Sequence, residues 1–239
     1  MSSVLIIGGN SDIGYATSKV FAKNKYNIHL ASRNVPNLQI KKREIEQLYN
    51  VDCKISFLDI ENKESVDFFL NNNPKSPNII LLAAGLLKTK SANDNQILNV
   101  NYSSQVSFIE KTIKYYRNQY KLDSIIGISS VAGDRKRKNL DTYAKSKSFY
   151  NLYLQELRQR LSKFGINVIT IKPGWVNTKM IKNLKLPKLM TVNVNFVGSK
   201  IFEAYKNKKK ILYVPKYWKI ILFFYNLIPE IFFSIIKKQ

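Results

Sequence analysis

The chain has 239 residues, and 45% of them are hydrophobic, which suits the buried core of one α/β domain. One cysteine, Cys53, excludes an internal disulfide and a cysteine-rich metal site; one histidine, His29, argues against His-based zinc chemistry and a Ser-His-Asp triad. The net charge of +23 favours an anionic partner, but much of it is lysine spread along the chain with no RNA-binding aromatic signature, so nucleic acid is not the expected partner.

Met1-Ser2-Ser3 leads straight into an apolar run, with no basic segment and cleavage site of a secretory signal, so a cytoplasmic protein is expected. Val4 to Ile7 reads as a buried strand, Gly8 to Gly14 as a turn, and Tyr15 to Lys25 as a helix with Ala16, Val20 and Phe21 at helical spacing. Asn27 to Ala31 is a second strand, in which His29 alternates with Ile28 and Leu30 and reads as structural. A polar helix follows, with Leu38, Ile45 and Leu48 on one face. Cys53, in an apolar run, reads as a core residue. Lys54 to Leu58 is a third strand, Glu64 to Asn71 a helix stopped by Asn72-Asn73-Pro74, and Asn78 to Leu82 a fourth strand.

The spacing predicts one long helix from Asp94 to Tyr120, a fifth strand over Ser124 to Ile128, and a long helix from Asp141 to Phe164. Asn167 to Ile171 is a sixth strand, a lysine-rich loop follows, then a helix around Phe196 to Tyr205 and a seventh strand over Ile211 to Val214. Strands alternating with helices imply an α/β fold: a doubly wound parallel sheet of about seven strands, covered on both faces, with a C-terminal apolar helical tail.

Four places carry candidate chemistry before any family is considered. The first turn, Gly8-Gly9-Asn10-Ser11-Asp12-Ile13-Gly14, joins a strand to a helix and lets a pyrophosphate approach the backbone and the positive helix N-terminus, although it is not the G-x-G-x-x-G fingerprint. The second strand ends at Ser32-Arg33 where NAD binders carry a carboxylate for the ribose; Arg33 instead suits a 2′-phosphate and favours NADPH over NADH. Asp59, followed by Ile60 at the end of the third strand, is placed either to accept from the adenine amine or to cap a helix. Tyr143 and Lys147 lie four apart on one helix face, a spacing that Tyr15/Lys19 and Tyr205/Lys209 share, so spacing alone does not single out a functional pair.

The order of motifs does. A glycine-rich first turn, Ala83-Ala84-Gly85 after the fourth strand, Asn101 in the next helix, Ser129-Ser130 after the fifth strand, Tyr143-Ala-Lys-Ser-Lys147, and Pro173-Gly174 after the sixth strand follow one another. The set resembles the short-chain dehydrogenase/reductase family over roughly residues 3 to 215. The resemblance implies a catalytic set of Asn101, Ser130, Tyr143 and Lys147, with Tyr143 and Lys147 also at the cofactor. It implies that Ser130 holds the substrate oxygen, Lys147 the nicotinamide ribose and Asn101 a relay water. It places Gly85 beside the cofactor, and Pro173, Gly174, Val176 and Thr178 at the nicotinamide carboxamide. The family's Asn-Asn-Ala-Gly is degraded to Leu82-Ala83-Ala84-Gly85, so backbone contacts are expected where side chains usually brace the sheet. A tyrosine ionises near pH 10, and a cation one turn away favours the phenolate, so Lys147 is expected to lower the pKa of Tyr143 toward neutral. No metal is implied.

Residues 1–217 therefore read as an NAD(P)-binding catalytic domain and 218–239 as an apolar tail. The tail runs Trp218-Lys219-Ile220 to Ile228, breaks at Pro229-Glu230, and resumes at Ile231 to Ile236 before Lys237-Lys238-Gln239. Neither half supplies the ~20 apolar residues of a membrane span. Aromatics flanked by lysines suit a segment lying on an anionic membrane interface; the alternative is a helix buried on the domain or in a dimer contact. The first turn and this tail resemble the decaprenylphosphoryl-2-keto-ribose reductase-like members, which implies a polyprenyl-phosphate-linked sugar as substrate in cell-envelope polysaccharide synthesis. A nucleotide-linked sugar, a soluble fatty-acyl or small keto compound, and a non-catalytic NADPH sensor are the competing readings. The loop from Trp175 to Val194, with Met180, Leu184, Leu186 and Met190, is expected over the substrate. The family's long helices imply a homodimer or homotetramer.

Overall fold

A computed structural model describes residues 2–87, 93–119, 121–135, 141–182 and 187–228. Leu184, Leu186 and the tail from 229 onward lie outside the described residues. Seven parallel strands form one sheet: β1 (Ser3–Ile7), β2 (Asn27–Ser32), β3 (Cys53–Phe57), β4 (Ile79–Leu82), β5 (Ser124–Ile128), β6 (Asn167–Pro173) and β9 (Ile211–Val214), in the order β3-β2-β1-β4-β5-β6-β9. The order reverses between β1 and β4, and the crevice beyond their C-terminal ends is the ligand position in such sheets. Helices α1 (Asp12–Lys23), α2 (Val35–Tyr49) and α7 (Val194–Lys206) cover one face; α3 (Lys63–Asn71), α5 (Ser104–Tyr116) and α6 (Thr142–Ser162) cover the other.

Burial on both faces explains the unbroken apolar strands. In β1, Val4 and Ile6 join one core cluster while Leu5 and Ile7 join the other. Cys53 is buried in the first cluster. His29 donates to or accepts from Ser56 at 2.8 Å, and burial pushes its pKa down to about 3, so it stays neutral and structural.

Two elements differ from the sequence reading. The helix predicted from Asp94 to Tyr120 is broken: α4 (Asp94–Leu98) passes through a π turn (Asn99–Ser103) into α5, which ends at Tyr116. Gln105 explains how the π turn is sustained, because its Nε2 donates to Val100 O and Asn101 O, two carbonyls of the widened register. A second, two-stranded sheet pairs β7 (Val176–Asn177) with β8 (Val192–Asn193) in parallel. Two-residue strands leave no alternation to read.

After β9, α8 (Tyr217–Leu227) packs Trp218 and Leu222 against Val131, with Trp175, Met190 and Tyr213 around them. Its other side is open: Ile220, Phe223, Phe224 and Leu227 are each more than 60% exposed. Among the described residues no helix is long and apolar enough to cross a membrane.

Candidate active site

A cleft of about 400 Å³ opens over the C-terminal ends of β1, β4 and β5. Its floor is the first turn. Gly8 sits at φ +81°, and Gly8 N and Gly9 N both donate to Ala31 O, at 2.9 and 3.1 Å. A Cβ on Gly8 would stand 2.6 Å from Ala84 N, so only glycine fits between the turn and the end of β4. Ser11 caps α1 by accepting from Gly14 N at 3.0 Å. The amides of Asp12 and Ile13 open the helix, where N–H groups have no carbonyl one turn back.

Asn10 braces the turn: its Nδ2 donates to Ser32 Oγ and Asn34 O. Asp12 accepts from Lys179 N at 2.6 Å and so latches the 173–181 segment over the cleft. Gly14 packs behind the turn and does not line the cleft.

At one end of the cleft lies Arg33, 62% exposed, with Glu61 at 3.5 Å. Ile60 lines this end, but Asp59 does not. The Asp59 carboxylate accepts from Glu61 N and its own amide donates to Ser65 Oγ, so it closes the loop before α3; the helix cap itself is Asn62, not Asp59. Ala83, Ala84 and Gly85 form the middle wall. The missing family asparagines are replaced by a side chain after all: Gln105 Nε2 donates to Ala84 O at 3.0 Å.

At the other end Ser130, Tyr143 and Lys147 converge. Asp141 caps α6 through Ala144 N at 2.7 Å, which starts the helix just ahead of Tyr143 and Lys147. Lys147 is 3% exposed, and its Nζ donates to Ile128 O at 3.1 Å. A Cβ on Gly85 would lie 3.9 Å from that Nζ. Burial pushes the Lys147 ammonium down to about 8. Burial also raises the Tyr143 hydroxyl above its ordinary value; a hydrogen bond with Ser130 pulls it back and Asp141 pushes it further up. The expected net lowering by Lys147 is therefore not found. The lysine is directed to Ile128 O, with its nitrogen 5.9 Å from the Tyr143 ring centre.

Asn101 is fully buried behind this wall. Its Oδ1 accepts from Leu86 N at 2.7 Å, and its Nδ2 donates to Leu86 O and Ser146 Oγ. It clamps the loop that follows Gly85, and it does not line the cleft. Pro173, Gly174, Val176 and Thr178 do line it, joined by Lys179, Met180 and Ile181. Met190 instead packs under α8. The other two Tyr/Lys spacings are elsewhere: Lys19 pairs with Glu44, and Tyr205 packs edge-on and tilted among Phe21, Tyr26 and Phe202. The sequence reading missed Gln105, Glu61 and Lys179. A glutamine four residues beyond Asn101, on the same helix face, was the available signal for the first.

The residues fit a dinucleotide. A cation stands at one end, helix-terminal amides and a glycine without room for a side chain in the middle, and a Ser/Tyr/Lys group at the other. Among the described residues no cluster of histidine, cysteine or carboxylates is set for a metal. Such a cleft defines a dinucleotide-binding protein of the doubly wound class.

Comparison with known proteins gives the family. The model of the short chain dehydrogenase family matches residues 2–188. Carbonyl reductase family member 4 of Xenopus laevis is 25% identical over 189 residues, 75% of this chain and 78% of the relative. An uncharacterized oxidoreductase of Staphylococcus epidermidis is 26% identical over 185 residues, covering 74% and 78%. Among solved structures, a short-chain dehydrogenase from Sphingobium yanoikuyae in complex with NADPH superposes with a TM-score of 0.81 at 17% identity, covering 90% of this chain and 89% of that one. An alcohol dehydrogenase from the archaeon Thermococcus sibiricus, complexed with 5-hydroxy-NADP, gives a TM-score of 0.76 at 16% identity, covering 89% of this chain and 96% of that one. The chain belongs to the short chain dehydrogenase family, and it is an NAD(P)-dependent oxidoreductase acting on a CH–OH or C=O carbon.

Proposed function

We propose that the protein reduces a ketone with NADPH, or oxidises the matching alcohol, with Tyr143 as the proton donor and acceptor. The convergence of Ser130, Tyr143 and Lys147 at the opposite end of the cleft from Arg33 carries this reading. The nicotinamide supplies the hydride when bound. Ser130 orients the carbonyl oxygen by a hydrogen bond. A raised tyrosine pKa keeps the Tyr143 proton in place at neutral pH, ready to be given to an oxygen that gains negative charge. Lys147, cationic below about pH 8, holds the ribose side and favours the phenolate left behind. Asn101 acts through Leu86 and Ser146, keeping the wall beside Gly85 in register. Above about pH 8 Lys147 loses its charge, so carbonyl reduction declines there.

Arg33 favours NADPH. Its exposed pairing with Glu61 is worth about 0–1 kcal/mol, too little to keep it from a 2′-phosphate. Arg33→Ala is expected to weaken NADPH binding by roughly tenfold or more and leave NADH within about twofold, because a hydrogen bond to a charged group contributes about 1.5–3 kcal/mol. Calorimetric titration with both coenzymes checks it; equal losses would remove the argument.

The substrate we propose is a carbonyl on a polyprenyl-phosphate-linked sugar, or on a nucleotide-linked one, in envelope polysaccharide synthesis. The +23 charge and the open apolar face of α8 support a cytoplasmic enzyme that sits peripherally on an anionic membrane. In this reading residues 1–217 are the catalytic domain and 218–239 the anchor. The copies associate as a dimer or tetramer through the long helices, where Phe149 and Leu152 are exposed on α6. The carbonyl reductase relative favours a second reading, a small ketone. Vesicle co-sedimentation separates them. Replacing Ile220, Phe224 and Leu227 together by serine is expected to cut binding to phosphatidylglycerol vesicles at least tenfold. If the unaltered protein never sediments with them, the membrane reading fails.

A further inference from the structure

We propose that Asp134 is a positioning residue that sets Ser130 against Tyr143, with α8 as its outer brace. The inference rests on the reading of Ser130 and Tyr143 given above.

Asp134 ends the short 3₁₀ turn, Val131–Asp134, that begins just after Ser130. Its carboxylate gathers three other segments of the site. Lys172 Nζ donates to both oxygens, at 2.7 and 2.9 Å. Tyr213 OH donates at 2.7 Å and Asn151 Nδ2 at 2.9 Å. Each partner adjoins a working part of the cleft. Lys172 precedes Pro173-Gly174, Asn151 is one helical turn beyond Lys147 on α6, and Tyr213 is on β9, two residues before Pro215.

The turn is tight against α6 as well. A Cβ on Gly133 would stand 2.6 Å from the carbonyl carbon of Lys147, and Ser129 Oγ donates to Lys147 O at 3.3 Å. The Ser130 hydroxyl itself accepts from Ala132 N at 3.1 Å, so its direction follows the turn. A shift of the turn therefore moves Ser130 relative to Tyr143.

From outside, α8 closes the same group. Asn226 Nδ2 donates to Asp134 O at 3.0 Å. Trp218 rests on Gly174, where a Cβ would collide with the indole nitrogen. The C-terminal helix is thus part of the wall that carries Ser130 and Pro173-Gly174, whatever its open face touches.

Lys172 is 7% exposed, and the Asp134 carboxylate is its ion-pair partner. Removing one member of such a pair strands a buried charge, whereas replacing both by apolar groups is often tolerated. That asymmetry separates position from stability. The assay follows NADPH oxidation with whichever ketone of a panel the unaltered protein reduces fastest, well below the melting temperature. Asp134→Asn is expected to lower kcat by roughly ten- to a hundredfold, with the NADPH Kd within twofold. The fall in rate above about pH 8 set by Lys147 should stay, while the Tyr143 ionisation beyond it should move to higher pH, since Tyr143 loses part of its Ser130 hydrogen bond. The paired variant Asp134→Leu/Lys172→Met should regain the melting temperature but neither kcat nor the original profile.

An unchanged kcat and profile in Asp134→Asn would overturn the proposal. So would recovery of kcat together with melting temperature in the paired variant, because the role would then be stability alone. Ser130→Ala is measured beside them. If it keeps full activity, the reading of Ser130 has failed, and the positioning role falls with it.

Discussion

Tyr143→Phe is expected to lower carbonyl reduction by roughly a thousandfold while NADPH binds as before. The size follows from the proton: a positioned general acid contributes about 10²–10⁴ in rate, or about 3–5 kcal/mol of barrier. The ring of Tyr143 lines the cleft and phenylalanine keeps it, so the wall beside Gly85 retains its shape. Only the hydroxyl, with its hydrogen bond to Ser130, is removed. Without it no nearby group replaces the proton readily. Lys147 is the next cation, but its Nζ is turned to Ile128 O. Stopped-flow reduction rates with the best ketone of a panel, beside a fluorescence titration of NADPH, check both halves. Full activity in Tyr143→Phe would remove the mechanism; lost coenzyme binding would show that the ring, not the proton, was the essential part.

The fold was legible because the sheet is buried on both faces. Strands such as Ile79-Ile80-Leu81-Leu82 are apolar throughout, and Gly8, Gly85 and Pro173-Gly174 mark where three of them end. Ser130, Tyr143 and Lys147 were legible for a related reason. They are tied to the ends of regular elements, so order along the chain fixes their place at the cleft. What escaped depends on side chains reaching between segments. Gln105 braces Ala84 across 21 positions, and Asp12 latches Lys179 across 167; neither distance leaves a local pattern. The π turn at Asn99–Ser103 escaped because it is held by the Gln105 side chain on Val100 O and Asn101 O, not by a repeat of apolar residues. The side-chain anchorage of Asn101 to Leu86 and Ser146 escaped for the same reason, since those partners lie 15 and 45 positions away. The direction of the Tyr143 shift was misread for an energetic reason. Burial of the phenol, which raises its pKa, depends on the packing of α6 and leaves no mark in the spacing of Tyr143 and Lys147.

Gly8→Ala is the second large effect expected, and it acts on the cofactor instead of the chemistry. Gly8 combines two constraints that are separate at other glycines. Its φ of +81° disfavours any L side chain, by about 1–2 kcal/mol. Its Cβ would also meet Ala84 N at 2.6 Å and Ala83 C at 2.8 Å, both backbone atoms that cannot rotate away. Overpacking of this kind costs about 1–3 kcal/mol more. Relief requires the first turn and the end of β4 to part, and these are two sides of the cleft floor. NADPH affinity should therefore fall at least thirtyfold and the melting temperature should drop. Gly165 provides the control. It has φ +71° but open space where a Cβ would go, so Gly165→Ala carries the backbone cost alone. That variant should be destabilised by about 1 kcal/mol and bind NADPH normally. Thermal melts and coenzyme titrations on the two variants distinguish strain from contact. If Gly8→Ala binds NADPH as tightly as Gly165→Ala does, the turn yields without opening, and the close approach of β1 to β4 does not shape the cofactor site.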